Sequence, residues 1–322
     1  MIFGHQKNLK IFSRYLEKKI FPHAVLFAGP EKVGKRRTAI EISKYLLGNH
    51  RENFFNFSQR DCFCEICKKI EEGKFLELIE INPENQISIK EIREIQDRIS
   101  LSSVFPYKIV ILNKTEVLSE EAVGALLKVL EEPRGKVIFF LLTSRPLVLP
   151  KTILSRVEIF KFSFLRKEEI KDFLKNLSLP LIKKEELEEV IDFSFGRVGL
   201  TRELILEKEK RDYYNLLLKR VREIKKLSIF KRFLLAEKLE KENIFDDFLF
   251  LTEFYFRDLL LLKYNSFFIN FNFKKEEFLK ESEDYKKEEI IEIIKKIEKV
   301  KNYLFFSNVN KKLALEVFLL NL

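Results

Sequence analysis

The chain has 322 residues, of which 46% are hydrophobic and 34% charged, with only 9 Gly and 8 Pro. That balance excludes a disordered or collagen-like chain and a loop-rich all-β sandwich, and it points to a mostly helical globular protein of two or three domains. The net charge of +10 admits contact with nucleic acid or an acidic partner. However, both signs are interspersed, as in KKEELEEV and KKEEIIEIIKKIEK, and read as solvated helix faces.

The opening MIFGHQKNLKIFSRYLEKKI lacks the apolar run and small-residue cleavage site of a signal peptide. No stretch of 18 uncharged apolar residues occurs, so no membrane span and no membrane partner are expected. HAVLFAG (23–29) reads as a buried strand entering a glycine turn, and KRRTAIEISKYLL (35–47) as a helix. Three cysteines within six residues, Cys62 to Cys67, are no disulfide framework. They read as a reduced, cytoplasmic protein with a candidate metal site. FLELIEI (75–81) is strand-like. SIKEIREIQDRISL (88–101) is a helix with Ser88 as N-cap and Ile89, Ile92, Ile95 and Ile99 on one face. YKIVILN (107–113), KVIFFLLTS (136–144) and VEIFKF (157–162) are further strands, and SEEAVGALLKVLEE (119–132) is a helix opened by Ser119 and two acids.

Strands that are apolar on both faces and alternate with helices predict a parallel sheet covered by helices, over about 1–162. Beyond it the strand signal disappears. RKEEIKDFLKNL, KKEELEEVIDFSF and VGLTRELILEKEK predict three short helices over 163–208, and long helical patterns with Phe and Leu stripes fill 209–322. With 33 Phe to bury, those stripes read as core and not as a cofactor box.

Gly29-Pro30-Glu31-Lys32-Val33-Gly34-Lys35-Arg36 follows a strand and opens a helix, the context of a phosphate-binding P-loop. Gly29 and Gly34 would let backbone N–H groups face a phosphate, and Lys35 would reach its outer oxygens. The eighth position calls for a Ser or Thr hydroxyl to ligate Mg²⁺, and Arg36 cannot do so. The strand at 108–112 should end in Asp-Glu but ends in Asn113-Lys114. Asn lacks the charge that holds Mg²⁺, and a protonated lysine is no general base. Three losses together argue against ATP hydrolysis, place ATP and Mg²⁺ binding by this chain in doubt, and favour a glycine turn kept for the fold.

The segments SEEAVGALLKVLEEP (119–133) and FFLLTSRPLVLPKTILSRV (139–157), with GHQKNLKIF (4–12) and FPHAVLFAGPEKVGK (21–35), resemble the AAA+ clamp-loader family. Its bacterial γ/τ and δ′ members carry LLK-x-LEEP and TILSRC segments. The resemblance covers 1–162, continues more weakly through GRVGLTREL (196–204), and beyond 209 rests on length and helicity. It implies an α/β plus all-α architecture: an AAA+ P-loop domain (1–162) with a cysteine module near 48–67, a small helical lid (163–208) and a helical collar or oligomerisation domain (209–322).

Within the family, the losses at Arg36, Asn113 and Lys114 resemble the δ′ branch, whose nucleotide site is typically degenerate, and the long C-terminal extension of τ is not expected. The resemblance implies a stator that works with γ/τ and δ subunits to load a sliding clamp on primed DNA. It also implies that Arg156, in Ser155-Arg156-Val157, enters a neighbour's ATP site as an arginine finger; Val157 replaces the family's Cys. At the second-sensor position, where ATP-using relatives carry arginine, stands Gly199. Thr143 and Ser144 at the first-sensor position read as strand-end caps.

The family often places a four-cysteine zinc module between the first helix and the second strand. Here Cys64 and Cys67 keep the x₂ spacing, Cys62 is displaced by one, Asp61 takes the expected place, and the distal cysteine appears as Gly48 with His50 two residues on. Three readings stay open: zinc on His50, Cys62, Cys64 and Cys67, a site using Asp61, or a module without zinc. His5 and His23 pair with no nucleophile or metal in the sequence. Two functional alternatives also stay open, an active γ/τ-type ATPase and a stand-alone DNA-binding AAA+ repair protein.

Overall fold

In the computed structural model the described residues are 1–322 apart from 49, 51, 59–60, 133–134, 177–182, 243, 267–268, 272–273 and 306–309. The chain forms two compact units, residues 1–177 with 196–200, and residues 178–195 with 201–322.

The first unit is built on five parallel strands: β1 (Ala24–Ala28), β2 (Leu78–Ile81), β3 (Lys108–Leu112), β4 (Val137–Thr143) and β5 (Glu158–Lys161). They lie in the order β2-β3-β4-β1-β5. Parallel neighbours need crossovers, and helices supply them: α1 (Gln6–Glu17) ahead of β1, then α2 (Lys35–Leu47), α3 (Phe54–Phe57), α4 (Glu65–Glu71), α5 (Ile89–Ser100), α6 (Glu120–Glu131) and α7 (Lys151–Leu154). All of β1 and β4 is buried, as their unbroken apolar runs require.

Successive side chains of a strand point to opposite faces, so the sheet splits its apolar residues between two cores. Val25, Phe27, Ile109, Ile111 and Phe140 pack with Phe12 of α1 and Ile42 of α2 on one face. Leu26, Val110, Leu112, Phe139 and Leu141 pack with Ile92 and Ile95 of α5 and Leu126 of α6 on the other. α5 starts where the sequence places it. The Ser88 hydroxyl accepts from the Glu91 N–H at 3.4 Å and the Glu91 carboxylate accepts from the Ser88 N–H at 2.7 Å, a reciprocal cap. α1 received no assignment from sequence. Its start lacks a capping side chain, with His5 in the left-handed region at φ 54°. α8 (Lys167–Lys175) completes the unit.

The second unit is all-helical: α9 (Lys184–Ser194), α11 (Lys208–Glu223), α12 (Ile229–Lys241), α13 (Phe245–Lys263), α14 (Lys275–Glu283), α15 (Lys287–Phe305) and α16 (Lys311–Leu320), while α10 (Val198–Leu206) spans the boundary between units. Thus the 163–208 stretch is shared between the two units. Of the Phe stripes, Phe193, Phe248, Phe271 and Phe278 are buried in the core, whereas Phe230 and Phe233 are exposed. Tyr214 and Asp258, both buried, are paired. Tyr214 donates to Asp247 at 2.9 Å, and the buried Asp258 carboxylate accepts from the Asn270 and Phe271 N–H groups at 2.7 and 2.9 Å. One face is left open. Ile229, Phe230, Phe233 and Leu234 on α12 and Leu313 and Val317 on α16 are exposed, and these two helices pack against each other. No helix among the described residues is long and apolar enough to cross a membrane.

Candidate functional site

β1 delivers the chain into the P-loop at the carboxyl end of the sheet, where parallel α/β proteins bind ligands. Gly29 is required by space: a Cβ there would stand 1.9 Å from the Phe162 carbonyl oxygen. Gly34 is required by conformation, since it enters α2 at φ 106°. The Lys35 ammonium does not project into an open cradle. It donates to the carbonyl oxygens of Gly29 and, at 2.5 Å, Pro30. Burial pushes its pKa down to about 8, although Glu116 and Glu31 pull it partly back. His5 bonds the Val33 carbonyl at 2.9 Å through Nε2, and burial lowers its pKa. His23 makes a similar structural bond to Leu130 O at 3.1 Å.

Arg36 turns away from the loop toward β2. Its Nε and Nη2 donate to the two oxygens of Glu80 at 2.6 and 2.7 Å, a parallel fork-to-carboxylate pair. Asn113, at the end of β3, donates to the same carboxylate at 2.8 Å and to Asn82 Oδ1 at 2.6 Å. Burial pushes the Glu80 carboxyl up, but the Arg36 hydrogen bonds and charge outweigh it and leave it below the usual range. Arg36 and Asn113 therefore meet on one acid.

The 196–200 segment closes against the same loop. The Gly199 N–H donates to Lys32 O at 2.8 Å. A Cβ at Gly199 would stand 3.1 Å from Lys32 Cβ and 3.2 Å from its carbonyl oxygen. Thr143 ends β4 with its hydroxyl accepting from the Arg145 N–H at 3.0 Å, and Ser144 Oγ donates to Glu116 at 2.5 Å.

Arg156 follows α7 and leads into β5. Its Nε donates to Glu131 Oε1 at 2.9 Å and Nη2 donates to the same oxygen. Its Nη1 donates to Thr152 O at 2.9 Å and Ser155 Oγ at 3.2 Å. Pro133, the last residue of the LEEP segment, lies outside the described residues.

His50, Cys62, Cys64 and Cys67 converge, with one ligand atom from each lying within 4.8 Å of all the others. Cys67 is buried, its Sγ 3.3 Å from His50 Nε2, and Cys64 Sγ caps α4 by accepting from the Cys67 N–H at 3.5 Å. Tetrahedral zinc, with bonds of about 2.0–2.3 Å, spaces its ligand atoms about 3.3–3.8 Å apart, so this set fits the ion with small adjustments. Asp61 is committed elsewhere, to Arg37 at 3.4 Å and the Met1 amino group at 3.0 Å. A Cβ at Gly48 would stand 2.3 Å from His50 Nε2, so the imidazole fills the space beside position 48.

A family model described as "DNA polymerase III, delta subunit" matches residues 4–166, half of the chain. The chain belongs to this family. It is a clamp-loader family, as the sequence resemblance implies. Among curated proteins the chain is similar to DNA polymerase III subunit tau of Bacillus subtilis, 34% identical over 52% of this chain and 30% of that one. It is also similar to DNA polymerase III subunit gamma of Buchnera aphidicola subsp. Schizaphis graminum, 36% identical over 55% of this chain and 48% of that one. The matched stretch thus spans less than half of these relatives. A solved DNA polymerase III gamma subunit-related protein of Thermotoga maritima covers 97% of both chains at 19% identity and a TM-score of 0.41.

In this clamp-loader member the structure brings Gly29, Gly34 and Lys35 together at the P-loop and gathers His50 with the three cysteines, while Arg156 lies apart, between α7 and β5. Sequence reasoning missed Glu80 and Glu131, the partners of Arg36 and Arg156. Each acid lies tens of residues from its arginine, and no local spacing marks it.

The buried Lys35 gives a pH signature. Between about 8 and the ordinary lysine pKa the unfolded chain binds more protons than the folded chain, so stability rises with pH through that window. The burial cost is fully present below it. From about pH 7.5 to about pH 10, urea denaturation should show wild type gaining on the order of 2–3 kcal/mol relative to Lys35→Met. A difference independent of pH contradicts a buried, depressed ammonium.

Proposed function

We propose that this clamp-loader family member is δ′-like, a non-hydrolysing stator that donates Arg156 to the ATP site of a neighbouring subunit. The observation that carries the reading is the Arg36–Glu80–Asn113 cluster. A hydroxyl and a carboxylate are needed there to hold Mg²⁺, and the chain instead supplies a guanidinium and an amide. Lys35 is spent on loop carbonyls, and Gly199 supplies no sensor side chain. A chain without a working site of its own can still serve its neighbour's, because a guanidinium stabilises charge developing on a transferring phosphoryl group.

The partners are γ/τ and δ subunits, with the sliding clamp and primed DNA engaged through the assembly in the cytoplasm. The exposed apolar face of α12 and α16 supports a collar role for the C-terminal helices, since a face of this kind marks a protein contact. The net charge of +10 assists approach to DNA without specifying sequence. A γ/τ-type ATPase is the second reading, favoured by the tau and gamma names of the similar relatives.

ATP turnover by the reconstituted loader, with clamp and primed DNA, separates the two. The stator reading expects Arg156→Ala to lower turnover by about 10³-fold at the affected site, and Lys35→Ala to leave it nearly unchanged, with assembly intact in both. Damage from Lys35→Ala and none from Arg156→Ala would establish the ATPase reading instead.

His50, Cys62, Cys64 and Cys67 are the proposed holders of a structural zinc ion, which would tie the segment before α4 to the end of α2. Protein purified without chelator should carry about one zinc per chain, and His50→Ala with Cys67→Ser should carry none. Zinc-free wild type with undiminished thermal stability rules this site out.

A further inference from the structure

We propose that Glu131 is a positioning residue that stows Arg156 against its own subunit until a neighbour's triphosphate displaces it. The proposal rests on the arginine-finger reading above and adds a control to it.

All three guanidinium nitrogens of Arg156 are engaged within the chain, two on Glu131 and one on Thr152 O and Ser155 Oγ. The latter two acceptors lie within one helical turn and accompany the arginine wherever α7 goes. Glu131 does not: it is the last residue of α6, a separate helix. To reach a phosphate outside the subunit, the Nε and Nη2 edge must leave this carboxylate. Glu131 has a reason of its own to hold the arginine. It stands at the carboxyl end of α6, where backbone carbonyls disfavour a negative charge, and Glu132 beside it adds another. The guanidinium, with Lys128 in the same last turn, offsets that charge.

The strength of the pair suits a catch. The Arg156 and Glu131 side chains are 34% and 49% exposed, so water and salt screen their attraction. An exchange onto a triphosphate replaces one carboxylate charge by several, and the Nε and Nη2 edge, which shares a single Glu131 oxygen, can pair there with two phosphate oxygens. The pair therefore fixes the side chain while the adjoining site is empty and yields when it is loaded.

The test uses the reconstituted loader, with ATP turnover measured with and without clamp and primed DNA for wild type, Glu131→Gln, Arg156→Ala and the double variant. Glu131→Gln keeps the shape and removes the charge. It should raise turnover in the absence of clamp and DNA about two- to fivefold, the range a screened ion pair supplies. Stimulation by clamp and DNA should shrink correspondingly. In the Arg156→Ala background the same substitution should do nothing. A Glu131→Gln loader as impaired as Arg156→Ala would overturn the proposal, because the carboxylate would then be needed in the engaged state. So would a rise that persists without Arg156, or no change at all while Arg156→Ala is damaging. An Arg156→Ala loader of full activity defeats the finger reading itself, and that single-variant readout stands apart from the others.

Discussion

One carboxylate, that of Glu80, gathers the Arg36 guanidinium and the Asn113 amide, and this tie organises the end of the sheet. Arg36 opens α2 and Glu80 sits on β2, so their parallel hydrogen bonds tie the helix leaving the P-loop to an edge strand. Asn113, from the adjoining β3, completes the tie with its amide. Side chains of the chain itself bridge this junction. Lys35 is likewise bonded within the chain, its ammonium donating to loop carbonyls.

The P-loop glycines then have a reason to persist that does not involve nucleotide. Gly29 lets β1 pass within contact of the Phe162 carbonyl, and Gly34 supplies the turn into α2. Gly199 allows the 196–200 segment to hydrogen-bond Lys32 directly. At Gly29 the backbone approach leaves no room for a side chain, and at Gly34 the backbone conformation favours glycine. Two apolar cores, one on each face of the sheet, hold the strands that set them. A loop so braced suits a subunit whose proposed part is to remain fixed while its neighbours move.

How much of this was legible in sequence depends on the range of the interaction. β1, β3 and β4 were readable because burial on both faces writes an unbroken apolar run, and α5 because Ser88 and Glu91 act across three residues. α1 was not assigned, since its start carries no capping side chain and His5 adopts a left-handed backbone conformation. The degenerate positions Arg36 and Asn113 were visible as departures from a pattern, but their common partner Glu80 was not. Position 48 offered only a glycine. That the His50 imidazole fills the space beside it emerges only when the end of α2 and the imidazole are placed together. The pairing of Arg156 with Glu131 likewise needs α6 and α7 side by side.

The most direct test of the central claim is calorimetric titration of the isolated chain with Mg·ATP. The account predicts no saturable binding at millimolar nucleotide, because Lys35 is already bonded to loop carbonyls and neither Arg36 nor Asn113 offers an anionic ligand to the cation. Binding in the micromolar range that requires Mg²⁺ and disappears in Lys35→Ala would contradict it, and would show that Arg36 gives way to a metal ion.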